Sequence, residues 1–124
     1  MTPSPYRAHI LDHFEHPRRR GHLAAPDRVG EADNPLCGDR VRMELRLDAT
    51  GRVSDIAFSG EGCVIALATA SMLAERAFGE RVEALRALTE GDVLAMLGVE
   101  LGWARARCAQ VALQALQAAV APNN

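Results

Sequence analysis

The 124-residue chain is 48% hydrophobic and 24% charged with a formal net charge of −2, which allows one compact domain over residues 1–124 and excludes a disordered chain. All 14 basic residues are arginine, so chemistry that needs a Schiff-base or phosphate-loop lysine is excluded, and the near-neutral balance argues against a nucleic-acid partner. No apolar run reaches the roughly 20 residues of a membrane span and no charged-then-apolar leader opens the chain, so a soluble, cytoplasmic protein without a membrane partner is expected.

Ser4 and Pro5 read as the cap and first position of a helix, with Tyr6, Ile10, Leu11 and Phe14 on its apolar side and Arg7, Asp12 and Glu15 on its wetter side. Pro17 ends it. From Arg18 to Pro35 the chain reads as loop, with one short strand around Val29. Val41, Met43, Leu45 and Leu47 then alternate with Arg40, Arg42, Glu44 and Arg46, the pattern of a strand wet on one face. Asp48–Gly51 is a turn, and residues 52–59 form its hairpin partner; the change of phase between Val53 and Ile56 marks a bulge.

The period changes after Gly60-Glu-Gly62. Val64 to Phe78 is helical, with Ile65, Ala68, Met72 and Leu73 on one face and Gly79 as its stop. A shorter helix follows over Val82–Leu88, then another capped by Thr89 or Asp92 and running through Leu97. The last helix, about Ala104 to Val120, carries Val111, Ala115, Leu116 and Ala119 as its stripe. The order predicts an α+β fold: a small antiparallel sheet of about three strands with helices packed on one face.

The odd count of three cysteines, Cys37, Cys63 and Cys108, argues against a disulfide framework. Cys37 lies in the turn-prone Asn34-Pro-Leu-Cys-Gly-Asp39, Cys63 where a helix begins, and Cys108 near the start of the last helix beside Arg107. Helix N-termini and a neighbouring arginine favour thiolate, the form that binds metal and attacks sulfur. Asp39, two residues from Cys37, adds an oxygen donor. Cys37, Asp39, Cys63 and Cys108 together would suit tetrahedral Zn2+ or one corner of an iron–sulfur cluster. The competing reading is three buried packing cysteines. Gly38, Gly60 and Gly62 favour the metal, because they pack poorly in a core and let a backbone come close.

Asn34–Asp39, Gly60-Glu-Gly-Cys-Val-Ile-Ala66 and Ala104-Arg-Ala-Arg-Cys-Ala109 resemble the three cysteine motifs of the NifU N-terminal-like family, which comprises the IscU and SufU iron–sulfur cluster assembly proteins. The opening Tyr6–His13, His16-Pro-Arg18 and Gly21-His-Leu23 are also similar to that family, so the likeness runs along the whole chain. The resemblance implies an exposed thiol site that accepts persulfide sulfur from a cysteine desulfurase and serves downstream cluster assembly or acceptor proteins. It implies Cys37, Asp39, Cys63 and Cys108 as ligands, of resting Zn2+ in a SufU-like relay or of a transient [2Fe–2S] cluster or iron in an IscU-like scaffold. In the relay, a desulfurase histidine displaces Cys37, which becomes the sulfur acceptor.

Arg107 stands where the IscU branch has histidine, and Leu101–Arg105 where it has a proline-rich chaperone segment. Asp92-Val-Leu-Ala-Met-Leu-Gly-Val99 is similar to the SufU branch, although that branch's extra helix between the second and third cysteines is missing. Motif detail thus favours SufU and length favours IscU. A structural zinc module or a thiol redox sensor is the alternative from another class; an aspartate ligand counts against the first.

His9 and His13, four apart on one helix, have metal-binding spacing but read as solvated or capping residues. Arg18–Arg20 reads as a solvated basic patch, or as part of a desulfurase docking surface. Tyr6 reads as a core anchor, and Met72 and Met96 as core filler. Trp103 covers the thiol site or packs.

Overall fold

The computed structural model describes residues 5–122, with only the backbone described at Pro5 and Tyr6. The expected cap Ser4 and the Tyr6 side chain lie outside the described residues. Eight elements follow in order: α1 (Pro5–Glu15), β1 (Arg28–Asn34), β2 (Asp39–Leu47), β3 (Val53–Glu61), α2 (Val64–Ala77), α3 (Val82–Arg86), α4 (Glu90–Leu97) and α5 (Trp103–Val120). The strands form one antiparallel sheet in the order β1-β2-β3. Helices α5 and α2 pack on it, with α1 against α2 and α3 and α4 against α5. This is the α+β arrangement read from the sequence.

The alternation in β2 works as expected on its inner face, where Val41, Met43 and Leu45 are fully buried against the helices. On the opposite face Glu44 departs from the expected wet side, because residues before β1 fold over it. The Leu23 N–H donates to Glu44 Oε1 at 3.0 Å, His22 Nδ1 lies 2.7 Å from Oε2, and Arg42 Nε donates to Oε2 at 3.2 Å. Burial alone would raise the Glu44 pKa, but these bonds outweigh it and hold the carboxyl below its ordinary value.

The hairpin bulge is present: Leu47 pairs with Val53 and Arg46 with Asp55, leaving Ser54 as the extra residue. β1 is longer than the short strand expected around Val29. Its polar sequence hid it, since only Gly30 and Asn34 of its seven residues are fully buried. Gly30 lies directly under α5, and a Cβ there would collide with the backbone of Ala115 and Ala119. Close packing of that backbone, with the small Ala32 side chain beside it, holds β1 to the helix.

In α1 the buried face is Ile10 and His13 with Phe14 half-buried, while Leu11 is 37% exposed, contrary to the expected stripe. His13 is accepted inside because its Nδ1 lies 2.8 Å from Ser71 Oγ, which also accepts from the Arg18 N–H at 2.8 Å. Burial, aided by the nearby Arg18 and His9 charges, lowers the His13 pKa. The α4 start follows the sequence reading, with Thr89 and Asp92 forming a reciprocal capping box. No described helix is long and apolar enough to cross a membrane.

Candidate metal centre

Three chain segments meet at one end of the sheet. In the turn between β1 and β2, the Cys37 and Gly38 N–H groups both donate to the Asn34 carbonyl, at 3.1 and 2.9 Å. Gly38 takes φ +73°, a left-handed conformation that costs glycine little. The turn lifts Cys37 into solvent and returns the chain so that Asp39, the first residue of β2, is 1% exposed. Asn34 and Asp39 face each other across the strand pair.

The second segment leaves β3. Gly62 has φ +154°, and a Cβ on it would stand 2.5 Å from Asp39 Oδ1, so the missing side chain makes room for that carboxylate. Cys63 then serves as the N-cap residue of α2, without a side-chain cap bond, and its backbone N–H donates to Asp39 Oδ1 at 3.0 Å. The third segment is α5, which brings up Cys108 from its second turn, 4% exposed.

The Cys37 and Cys108 sulfurs and a carboxylate oxygen of Asp39 lie within 4.8 Å of one another. Cys63 stays outside that trio: it is exposed, and its thiol interacts with that of Cys108. Thus the structure gathers three of the four residues by their ligand atoms and ties the fourth to Asp39 through its backbone. Asp39 Oδ2 is buried with no hydrogen-bond donor. A buried carboxylate oxygen left open toward two thiols is the donor set of a soft or borderline cation, and these residues fit Zn2+ or iron.

The expected thiolate-favouring context of Cys108 does not hold. The residue lies past the first turn of α5, away from its free N–H groups, and Arg107 points into an exposed environment. Burial first, then the Asp39 carboxylate and the Cys37 and Cys63 thiols beside it, push the Cys108 thiol well above its usual range. A bound cation would have to displace that proton.

Other sequence-marked residues stand apart from the trio. His9 and His13 meet edge to face at 4.7 Å, but no third ligand joins them among the described residues. Arg18–Arg20 is tied down rather than free: Arg18 pairs with Asp12, Arg19 pairs with Asp55 and stacks on Phe78, and Arg20 donates to the Gly60 carbonyl. Trp103 is 73% exposed, so it is not packed in the core, and Leu36 beside Cys37 is equally exposed. Asn34 opens the turn-prone hexapeptide read from the sequence, and its backbone carbonyl closes the Cys37 turn.

Comparison with known proteins supplies the remaining observations. The profile of the NifU-like N terminal domain matches residues 5–123. The zinc-dependent sulfurtransferase SufU of Bacillus subtilis is 35% identical over 94% of this chain and 89% of its own length. An iron–sulfur cluster assembly scaffold protein IscU of Archaeoglobus fulgidus is 35% identical over 93% of this chain and 74% of its own. The bifunctional protein NifU/MnmA of Rubrobacter xylanophilus is 34% identical over 94% of this chain, which spans only 24% of that longer protein. The crystal structure of a nitrogen-fixing NifU-like protein (N-terminal) from Brucella abortus shares the fold, with a TM-score of 0.76 at 24% identity over 93% of this chain and 91% of that one.

Proposed function

Because the chain belongs to the NifU-like N-terminal domain family, we propose that it serves iron–sulfur cluster assembly by taking sulfur onto Cys37 from the persulfide of a cysteine desulfurase. In this reading Cys37, Asp39, Cys63 and Cys108 hold a resident Zn2+. The observation that carries it is the trio of Cys37, Asp39 and Cys108 ligand atoms within 4.8 Å, with Asp39 Oδ2 buried and unpartnered. Cys63 joins by turning its exposed thiol about one bond, a swing of about 3 Å between staggered rotamers. When bound, Zn2+ supplies the Lewis acidity that holds ligand thiols deprotonated near neutral pH.

The chain's own residues divide the work. Cys37 is exposed on a turn tip within reach of an enzyme, whereas Cys63, also exposed, stands at the N-cap of α2. The Cys37 thiolate attacks the outer sulfur of the donor persulfide; the S–S bond to the donor cysteine breaks and that cysteine leaves as thiolate. A new S–S bond forms on Cys37 with no net oxidation. Cys108, buried in α5, anchors the site, and Asp39 is the hard oxygen donor among thiols, a weaker ligand for a soft cation that keeps the site exchangeable. Exposed Leu36 and Trp103 offer apolar contact to a docking partner.

Replacing Cys37 tests this directly. Cys37→Ser is expected to abolish stimulation of desulfurase turnover measured without added reductant; undiminished stimulation removes Cys37 as acceptor. The IscU relative, equally identical, supports a second reading in which the same residues assemble a [2Fe–2S] cluster. Anaerobic reconstitution with iron and sulfide separates them. A stable chromophore transferable to an apo-ferredoxin favours the scaffold, and a colourless protein that keeps stoichiometric zinc favours the relay.

A further inference from the structure

Among the described residues, three buried side-chain oxygens have no hydrogen-bond donor: Asn34 Oδ1, Asp39 Oδ2 and Gln110 Oε1. Oxygens of that kind are rarely left so in a folded protein. Two of the three belong to facing residues. Asn34 ends β1 and Asp39 begins β2, and the antiparallel register pairs them directly. Both are turned toward the helices, 6% and 1% exposed, on the same inner face as Gly30 of β1 and Val41 and Met43 of β2. Directly paired residues on one face carry their Cβ atoms about 4.5–5.5 Å apart. That spacing brings the Asn34 amide within reach of the Asp39 carboxylate, and two acceptors held so close favour a donor between them.

We propose that Asn34 is a positioning residue of the metal site: its side-chain amide, turned over, donates to Asp39 Oδ2 and fixes that carboxylate against Cys37 and Cys108. The terminal torsion of an asparagine is soft and roughly two-fold, and its carbonyl and NH2 ends have nearly the same shape. A half-turn therefore satisfies both oxygens at once. The NH2 takes the place of the carbonyl beside Asp39 Oδ2, and the carbonyl swings to the outer side, where Asn34 borders the open groove between β1, α4 and α5. Asp39 is then held at both oxygens, Oδ1 by the Cys63 N–H and Oδ2 by Asn34. A carboxylate oxygen has two lone pairs, so Oδ2 can accept from the amide on one and offer the other to a cation among the thiols. The turn that carries Cys37 does not need this bond, since the Asn34 backbone carbonyl closes it. Gln110 Oε1 lies on α5, with no strand register to set it against the carboxylate.

The effect on zinc rests on the metal reading above; the amide bond does not, and the two are measured separately. In heteronuclear NMR of the zinc-free full chain, one Asn34 side-chain N–H is expected downfield of free asparagine amides and slow to exchange. Asp39→Ala is expected to return it to the free range. Zinc affinity is then read by competition with a chromophoric chelator. Asn34→Leu, similar in size but without the donor, is expected to weaken zinc binding by about 10–100-fold, the usual effect of removing a ligand's hydrogen-bond partner. Pro35→Ala loosens the same turn but leaves the amide in place, and is expected to keep the affinity within about twofold. Asn34 protons that exchange freely and ignore Asp39→Ala overturn the proposal, whether or not zinc binds. So does an Asn34→Leu affinity within about twofold of the parent protein, or a loss that Pro35→Ala matches. A parent protein that binds no zinc overturns the metal reading instead, and the amide signature alone then decides the role of Asn34. Where Asp39→Ala does not fold, the exchange rate in the parent protein and the zinc comparison decide it.

Discussion

Gly62→Ala is the sharpest probe of how the proposed metal site is built. The new Cβ would stand 2.5 Å from Asp39 Oδ1 and 3.1 Å from the Asp39 Cα, on a backbone held at φ +154°. The carboxylate must retreat by about 1 Å to reach ordinary contact, and it then loses the Cys63 N–H bond that now holds it at 3.0 Å. Backbone strain in this region costs about 1–3 kcal/mol, and the disturbed bond to a charged oxygen about 1.5–3 kcal/mol. A total stability loss of about 3–4 kcal/mol is expected, since part of the bond relaxes. Mispositioning of a ligand's support typically weakens metal binding by about 10–100-fold, and that is the expected loss of zinc affinity in competition with a chromophoric chelator. Gly79→Ala is the control, because Gly79 has φ +83° with open space around its Cα and lies in a different turn. It should lose stability through strain alone and keep its zinc affinity. If Gly62→Ala keeps zinc within about twofold while losing no more stability than Gly79→Ala, the glycine is not there to seat Asp39.

Two further predictions concern the fold that carries the site. Gly30→Ala would drive a Cβ into the α5 backbone at Ala115 and Ala119; backbone cannot swing aside, so a loss near 3 kcal/mol or more is expected in urea denaturation, and a loss under about 0.5 kcal/mol would disprove the close contact. Glu44 has a folded pKa below its ordinary 4.5, so its contribution is present above the unfolded pKa and is lost as pH falls through the lower, folded value. Glu44→Gln should therefore cost about 1.5–3 kcal/mol at pH 7, and the gap to the parent protein should close below pH 4.5. A gap that is the same at pH 3 as at pH 7, read from urea midpoints, would show that the carboxylate charge plays no part.

The acid-sensitive contact and the candidate metal site share a strand, at Glu44 and Asp39 of β2. They resolve the same difficulty in opposite ways. Glu44 is buried with donors on both oxygens, and its charge is a source of stability. Asp39 is buried with one oxygen satisfied by Cys63 and the other left open. The first carboxylate has its partners within the folded chain; the second keeps one buried oxygen without a donor, the oxygen the proposed Zn2+ would use.

What local sequence can encode was legible. The alternation of residues 40–47, the bulge in the hairpin, the Thr89–Asp92 capping box and the long helices all depend on neighbours within a few residues. Motif order also pointed to the family before any coordinates did. Where contacts come from far along the chain, the reading fell short. β1 has no apolar alternation, because its binding to the core runs through the bare backbone at Gly30. His13 is inside α1's face only because Ser71, 58 residues away, meets its ring. The thiolate expected at Cys108 gave way to a buried thiol, since α5 carries it into the core alongside Asp39 and Cys37. That Cys37, Asp39, Cys63 and Cys108 carry ligand chemistry was visible in the sequence; how closely three of them meet, and that Cys63 secures Asp39 through its backbone N–H, depended on the packing of β2, α2 and α5. Proximity between distant segments is a property of the folded core, and no stretch of sequence contains it alone.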